Sequence, residues 1–198
     1  MVRPTTYDAA TRAALIDAAA AAVAAGGPDA LTLRGVAAAV GATTSAIYAL
    51  FGSKEQLLRA VHREAFAGLA HELERVPAGG GPLDELLELG LAYRRSALAR
   101  PSLYLVMFSG DPRLVPTEPA DAEAAAATLG RLQGAVGRAQ AAGALPGSDP
   151  GDTTLELWAL VHGLASLELL GALGDRDAAG RHWHRALRGA VAGYDAAG

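Results

Sequence analysis

Residues 32–57 read Thr32-Leu33-Arg34-Gly35-Val36-Ala37-Ala38-Ala39-Val40-Gly41-Ala42-Thr43-Thr44-Ser45-Ala46-Ile47-Tyr48-Ala49-Leu50-Phe51-Gly52-Ser53-Lys54-Glu55-Gln56-Leu57. Leu33, Val36, Ala37 and Val40 recur at helical spacing, which predicts a short helix with Thr32 as its N-cap and Gly41 just past its end. A second short helix follows over residues 43–50 and turns Ala46 and Ile47 inward. Gly41 can take the positive backbone angle that a tight turn needs, and Thr43 can cap the second helix. Val36, Val40 and Ile47 would then weld the two helices at a fixed angle. Ser53 starts a longer helix, with Gln56 at the capping-box position and Leu57, Leu58, Val61, Ala65, Leu69 and Leu73 on one face.

Outward from this stretch the pattern stays helical. Leu15, Ile16, Ala19 and Val23 predict a first helix over residues 9–25, stopped by Gly26-Gly27-Pro28. Residues 77–82, with three consecutive glycines, form a loop between helices four and five. Helix five covers about residues 83–99, and a shorter one holds Leu103, Leu105, Val106 and Phe108 after Arg100-Pro101. A proline-rich loop over residues 110–119 precedes a helix over about 120–142. Two last helices are expected over about 153–173 and 177–194. The fold class is therefore all-α. Two short helices joined by a turn at Gly41, inside a compact set of three, have the spacing of a helix-turn-helix, whose second helix enters the DNA major groove.

The chain has 198 residues, 51% hydrophobic and 19% charged, enough apolar surface to bury a core. It has no cysteine, so neither a disulfide nor a thiolate nucleophile or ligand is available. Nor is there a nucleophile elbow or a phosphate loop, and no catalytic residue is assigned. His182 and His184 point apart at a spacing of two, so no metal site and no cofactor are expected. Residues 1–8 lack the pattern of a signal peptide, and the leucine-rich stretch over residues 157–173 is too short and too polar for a span. A cytoplasmic protein without a membrane partner is expected. The net charge of -4 hides an asymmetry: up to Arg63 there are six basic residues (Arg3, Arg12, Arg34, Lys54, Arg59, Arg63) against four acidic ones (Asp8, Asp17, Asp29, Glu55). That distribution permits contact with a polyanion at the N-terminal end without demanding it.

The ordered set Thr32 to Ala37, Gly41-Ala42-Thr43 and Ile47 to Leu57 resembles the DNA-binding signature of the tetracycline-repressor (TetR) family. The resemblance implies an all-helical homodimer of about nine helices: a helix-turn-helix domain over residues 1–52, and a larger effector-binding and dimerising domain over 53–198. By the same resemblance, Thr44 and Ser45 face base edges, where hydroxyls hydrogen-bond and a threonine methyl can meet thymine. Tyr48 and Lys54 resemble the family's phosphate contacts. Thr32, Arg34 and Thr43, with Arg3 or Arg12, would add to them. The competing readings are packing for Tyr48, a solvated charge for Lys54 and a tail for Arg3. Two departures stand out. Gly35 occupies a place where an acidic capping partner is common, so helix two should fray more easily. Ala49-Leu50 replace polar contact residues, which leaves the recognition helix without Arg, Asn or Gln to read a base bidentately. Specificity then leans on DNA shape and on two half-sites of a palindromic operator, roughly 34 to 36 Å apart or a multiple of that.

Trp158, His162 and Gly163, together with residues 100–108, are similar to the C-terminal domain of the TetR subgroup named for a Trp-His-Gly motif. Trp158 and His162 lie one helical turn apart and face the same way. Core or interface packing competes with ligand contact for both. Tyr93, Tyr104, Met107 and Phe108 are the expected lining of a pocket for an uncharged or weakly polar organic effector. The apolar faces of the last two helices, among them Val161, Ala165, Leu169, Trp183, Leu187, Val191 and Tyr194, are expected at an isologous dimer interface. Their competing use is the monomer's own core. The function implied is a repressor released from its operator by the effector. The alternative is a helical ligand sensor or adaptor that no longer binds DNA.

Overall fold

Asp8 opens the first helix by accepting a hydrogen bond from the Thr11 amide at 2.8 Å. The computed structural model describes residues 8–111, 113, 118–146 and 149–196, and among them holds nine helices and no strand. These are α1 (Ala9–Ala30), α2 (Leu33–Ala39), α3 (Thr44–Phe51), α4 (Lys54–Glu74), α5 (Pro82–Ala99), α6 (Pro101–Met107), α7 (Pro119–Ala141), α8 (Pro150–Leu169) and α9 (Arg176–Ala196). Arg3 and the side chain of Tyr194 lie outside the described residues. Helical geometry in α1 breaks at Gly26 and Gly27, the latter at φ +73°, before one more turn puts Pro28 into the core. By length and composition α1 could cross a membrane, yet Leu15, Ile16, Ala19, Ala20 and Val23 on its inner side are buried in the core.

The chain divides into two compact units, residues 1–67 with 100–122, and residues 68–99 with 123–198. This differs from the division expected between Gly52 and Ser53. Helix α4 starts in the first unit and ends in the second, because Leu57, Leu58, Ala60, Val61 and Ala65 belong to the core of α1, α2 and α3. Helix α6 also joins the first unit, with Leu103 and Val106 in that core. Arg100, just before α6, ties the arrangement together by bonding Asp17 of α1 at 2.7 Å and Glu64 of α4 at 2.6 Å. Arg63 of α4 likewise pairs with Asp121 at the start of α7.

The second unit is held by a buried carboxylate, Glu85, and a half-buried one, Glu168. Glu85 on α5 accepts bonds from Arg131 (2.6 Å) and Arg138 (2.7 Å) on α7, and Arg131 also donates to the Val76 carbonyl. Glu168 on α8 takes both arms of Arg94 on α5, at 2.9 and 2.7 Å, and the indole N–H of Trp183 on α9 at 2.6 Å. The bonds from Arg138 and Arg131 hold the Glu85 carboxyl below its ordinary value of 4.5 despite burial. A group depressed on folding adds stability above its unfolded value, and that stability is lost as pH falls through the lower folded value. Acidification below about 4.5 should therefore lower the melting temperature of the wild-type protein more steeply than that of Glu85→Gln. Equal slopes in a thermal melt series would show that Glu85 carries no such linkage.

Packing in the second unit corrects the expected interface. Val161, Ala165, Trp183, Leu187 and Val191 are buried within the single chain, Trp183 completely, and Leu169 is half-buried. A side chain with no exposed surface has none to give to a partner. The exposed apolar residues of α8 are instead Leu155, Ala159 and Leu167, with Leu170 just beyond its end and Gly163 between them.

Candidate functional site

Helices α2 and α3 meet at a bend of 105°, set by the local chain. The Gly41 amide bonds the Ala38 carbonyl and the Ala42 amide bonds the Ala37 carbonyl at 2.9 Å, with Gly41 at φ +67°. This pair of bonds closes α2 with a left-handed residue, which glycine adopts without steric cost. Thr32 caps α2 by accepting from the Gly35 amide at 3.1 Å, and Thr43 caps α3 by accepting from the Ala46 amide at 3.2 Å. Ser53 does the same for α4 at the Gln56 amide. Val36, Ala37, Ala46, Ile47 and Phe51 are buried beneath, with Val40 and Ala42 packed at the edge.

With its inner side committed to the core, α3 presents Ser45, Tyr48 and Ala49 outward, and Thr44 is half-buried at its start. Tyr48 is 56% exposed, more than any other large hydrophobic among the described residues of the first unit, and so is not a core residue. Thr32 and Thr43 spend a lone pair on their caps, and each still has a hydroxyl proton to donate outward. Arg34 is exposed on α2 and Lys54 half-exposed at the start of α4. Arg12 lies over the Phe51 ring at 5.5 Å, which holds its guanidinium beside the end of α3. Leu50 is half-buried and packed on the core, so its place on α3 is structural, while Ala49 faces out. Gly35 has its own reason: a Cβ there would stand 2.8 Å from the Thr32 hydroxyl oxygen and crowd the cap. Removing the cap with Thr32→Ala should cost about 1 kcal/mol of stability in urea unfolding. No change would mean that α2 is held by packing alone.

The residues expected to line one pocket come from both units. Tyr104, Met107 and Phe108 belong to the first unit, where Tyr104 is buried, Met107 packs on the core, and the Tyr104 and Phe108 rings meet edge-on at 5.2 Å. Tyr93, Trp158 and His162 come together in the second. The Tyr93 hydroxyl and His162 Nδ1 share a hydrogen bond at 3.2 Å, and the Trp158 and His162 rings lie 5.7 Å apart. Burial lowers the pKa of His162, favouring the neutral ring.

A cavity of about 30 Å3 lies in the second unit, and none of the expected lining residues borders it. Its walls are Leu73 from α4, Leu86, Leu89 and Gly90 from α5, Leu132 from α7, Leu157 and Val161 from α8, and Leu187 and Val191 from α9. Gly90 is needed there, since a Cβ would sit 2.6 Å from a Leu187 methyl. A lone glycine inside a leucine-rich helical pattern was the available signal for this close approach. One turn further along α5 from Gly90 and one residue on along α8 from Val161 stand the hydrogen-bonded Tyr93 and His162.

A short capped helix, a left-handed glycine turn and a second capped helix with an outward tyrosine define a helix-turn-helix protein. The pattern of the bacterial regulatory proteins, tetR family, matches residues 15–61, and that of the tetracyclin repressor-like C-terminal domain matches residues 86–190, over half of the chain. The chain belongs to the TetR family. It is 32% identical over 151 residues to an uncharacterised HTH-type transcriptional regulator of Mycobacterium tuberculosis, an alignment covering 76% of this chain and 66% of that one. Among solved structures, it is similar to a protein of unknown function from Rhodococcus sp. RHA1 (TM-score 0.73, 26% identity, 96% of this chain and 100% of that one). It also shares the fold of FadR from Bacillus subtilis in complex with stearoyl-CoA (TM-score 0.70, 16% identity, 91% and 98%).

Proposed function

We propose that this protein is a transcriptional regulator that binds a palindromic operator as a homodimer and is released by a small organic effector. The observation that carries the reading is the bend of 105° between α2 and α3, which leaves Ser45 and Tyr48 outward on a rigidly capped recognition helix. Tyr48, Lys54, Arg34 and the hydroxyls of Thr32 and Thr43 supply phosphate contacts, and Thr44 and Ser45 meet base edges. Action on DNA places the protein in the cytoplasm. Trp158, His162 and Gly163 support a place in the Trp-His-Gly subgroup.

The apolar walls and the Tyr93–His162 pair suit an effector with an apolar body and one weakly polar group. At about 30 Å3 the cavity has room for roughly one water, so such a ligand must displace leucine side chains to enter. Displacement gives the differential affinity that a switch requires, since the ligand then favours the state with those walls apart. The stearoyl-CoA of the FadR structure is an example of an apolar chain held by this fold.

A salt-titrated gel shift with the DNA upstream of its own coding region tests the reading. Lys54→Ala should weaken every duplex alike and lower the salt slope by about 1, and Tyr48→Phe should weaken every duplex alike. Thr44→Ala should change site preference little if DNA shape dominates. A shift without steep salt dependence would favour the adaptor, a reading supported by the apolar, outward Ala49.

A further inference from the structure

The arginines of this chain sort by what they meet. Among the described residues, Arg94, Arg95, Arg131 and Arg138 of the second unit each pair with a carboxylate. Arg176, Arg181, Arg185 and Arg188 make no ion pair among the described residues; all four are exposed, and all lie on α9. With His184, Arg94 and Gly180 they border an open groove of about 710 Å3. Asp177 is the one carboxylate at its edge, and Arg94 is already neutralised by Glu168.

At 100° per residue Arg181, His184, Arg185 and Arg188 fall on one flank of α9, and Ala186, Gly189, Ala190 and Gly193 on the other. The small-residue flank can approach another helix closely. The arginine flank cannot meet its own copy without juxtaposing like charges. Asp177 shares this flank one turn before Arg181, while Arg181, Arg185 and Arg188, three and four residues apart, repel one another within the helix. The flank therefore favours an anion over a copy of itself.

Guanidinium groups present planar, paired N–H donors that fit phosphate oxygens two at a time. From Arg181 to Arg188 the stripe rises about 10 Å, enough for two or three successive phosphate-sized groups. The groove's volume falls in the range of small-molecule clefts, about 300–1,000 Å3. We infer that the arginine groove of α9 binds a small molecule carrying at least two linked phosphates, held through those phosphates, at a site separate from the helix-turn-helix.

The test is calorimetric titration of the full chain with ADP, pyrophosphate and orthophosphate at low ionic strength. ADP and pyrophosphate should each bind at least tenfold more tightly than orthophosphate. The double variant Arg181→Ala/Arg185→Ala should lose at least tenfold in ADP affinity with an unchanged melting temperature, because both side chains are exposed. Arg34→Ala/Lys54→Ala should bind ADP like the wild type. Absence of ADP binding up to about 1 mM would overturn the inference. So would pyrophosphate binding without ADP, or loss of ADP binding in the helix-turn-helix variant alone. Weakened duplex binding in the α9 variant, with no ADP bound by either protein, would identify a nucleic-acid contact instead.

Discussion

Glu168→Ala should destabilise the protein by about 3–5 kcal/mol, read as a fall in the urea midpoint of unfolding. The carboxylate is 9% exposed and Arg94 16%, so both charges have left most of their water. Removing one strands the other in a poorly solvated place, which costs more than the pair contributes. The indole N–H of Trp183, whose residue is fully buried, loses its acceptor in the same step. Glu168→Gln separates these effects. Its amide oxygen can still accept one bond, so a smaller loss is expected, with the difference measuring the charge. An unfolding midpoint within error of the wild type for Glu168→Ala would show that Arg94 finds water or another acceptor at little cost.

Leu167→Glu should convert a dimer to a monomer and reduce operator affinity by at least about 100-fold, the scale of the avidity given by joining two binding modules. Leu155, Ala159, Gly163 and Leu167 recur every four residues on the outer side of α8, with Leu170 beyond, and Leu155 and Leu167 are 51% and 44% exposed. A stripe of that composition on a single chain is the expected contact surface of the dimer. A carboxylate in its middle would be buried unpaired against its own copy. Because Leu167 is exposed in the single chain, the variant should melt like the isolated wild-type monomer. Light scattering on a sizing column reads the mass, and a gel shift reads the affinity. An unchanged mass would place the two-fold axis on another face. A monomer with full operator affinity would show that one half-site suffices.

How far residues alone led depended on the range of the interaction involved. Thr32, Thr43 and Ser53 were legible as caps, because each bonds an amide three residues away. Gly41 and the break at Gly26-Gly27 were legible for the same reason, since a positive φ is decided by the residue itself. The outward Tyr48 followed once Ile47 and Phe51 were assigned inward. The partition of the apolar helices was not legible. Helix α8 carries Leu157 inward and Leu155 and Leu167 outward, so no polar side marks which face meets its neighbours. Trp183 and Leu187 therefore read equally well as interface or core.

By itself, the sequence determined that this chain is all-helical, where its first four helices start, and that a capped helix-turn-helix lies at residues 32–51. Those features rest on backbone angles and hydrogen bonds spanning a few residues. Only the tertiary structure decided that α6 joins the first unit, and that Val161, Leu187 and Val191 wall a cavity within the single chain. It also decided that, among the described residues, Arg181, Arg185 and Arg188 of α9 make no ion pair, whereas Arg94, Arg95, Arg131 and Arg138 do. Burial and charge pairing are set by residues distant in the chain, and a helix seen alone carries no record of which of its faces another helix will cover.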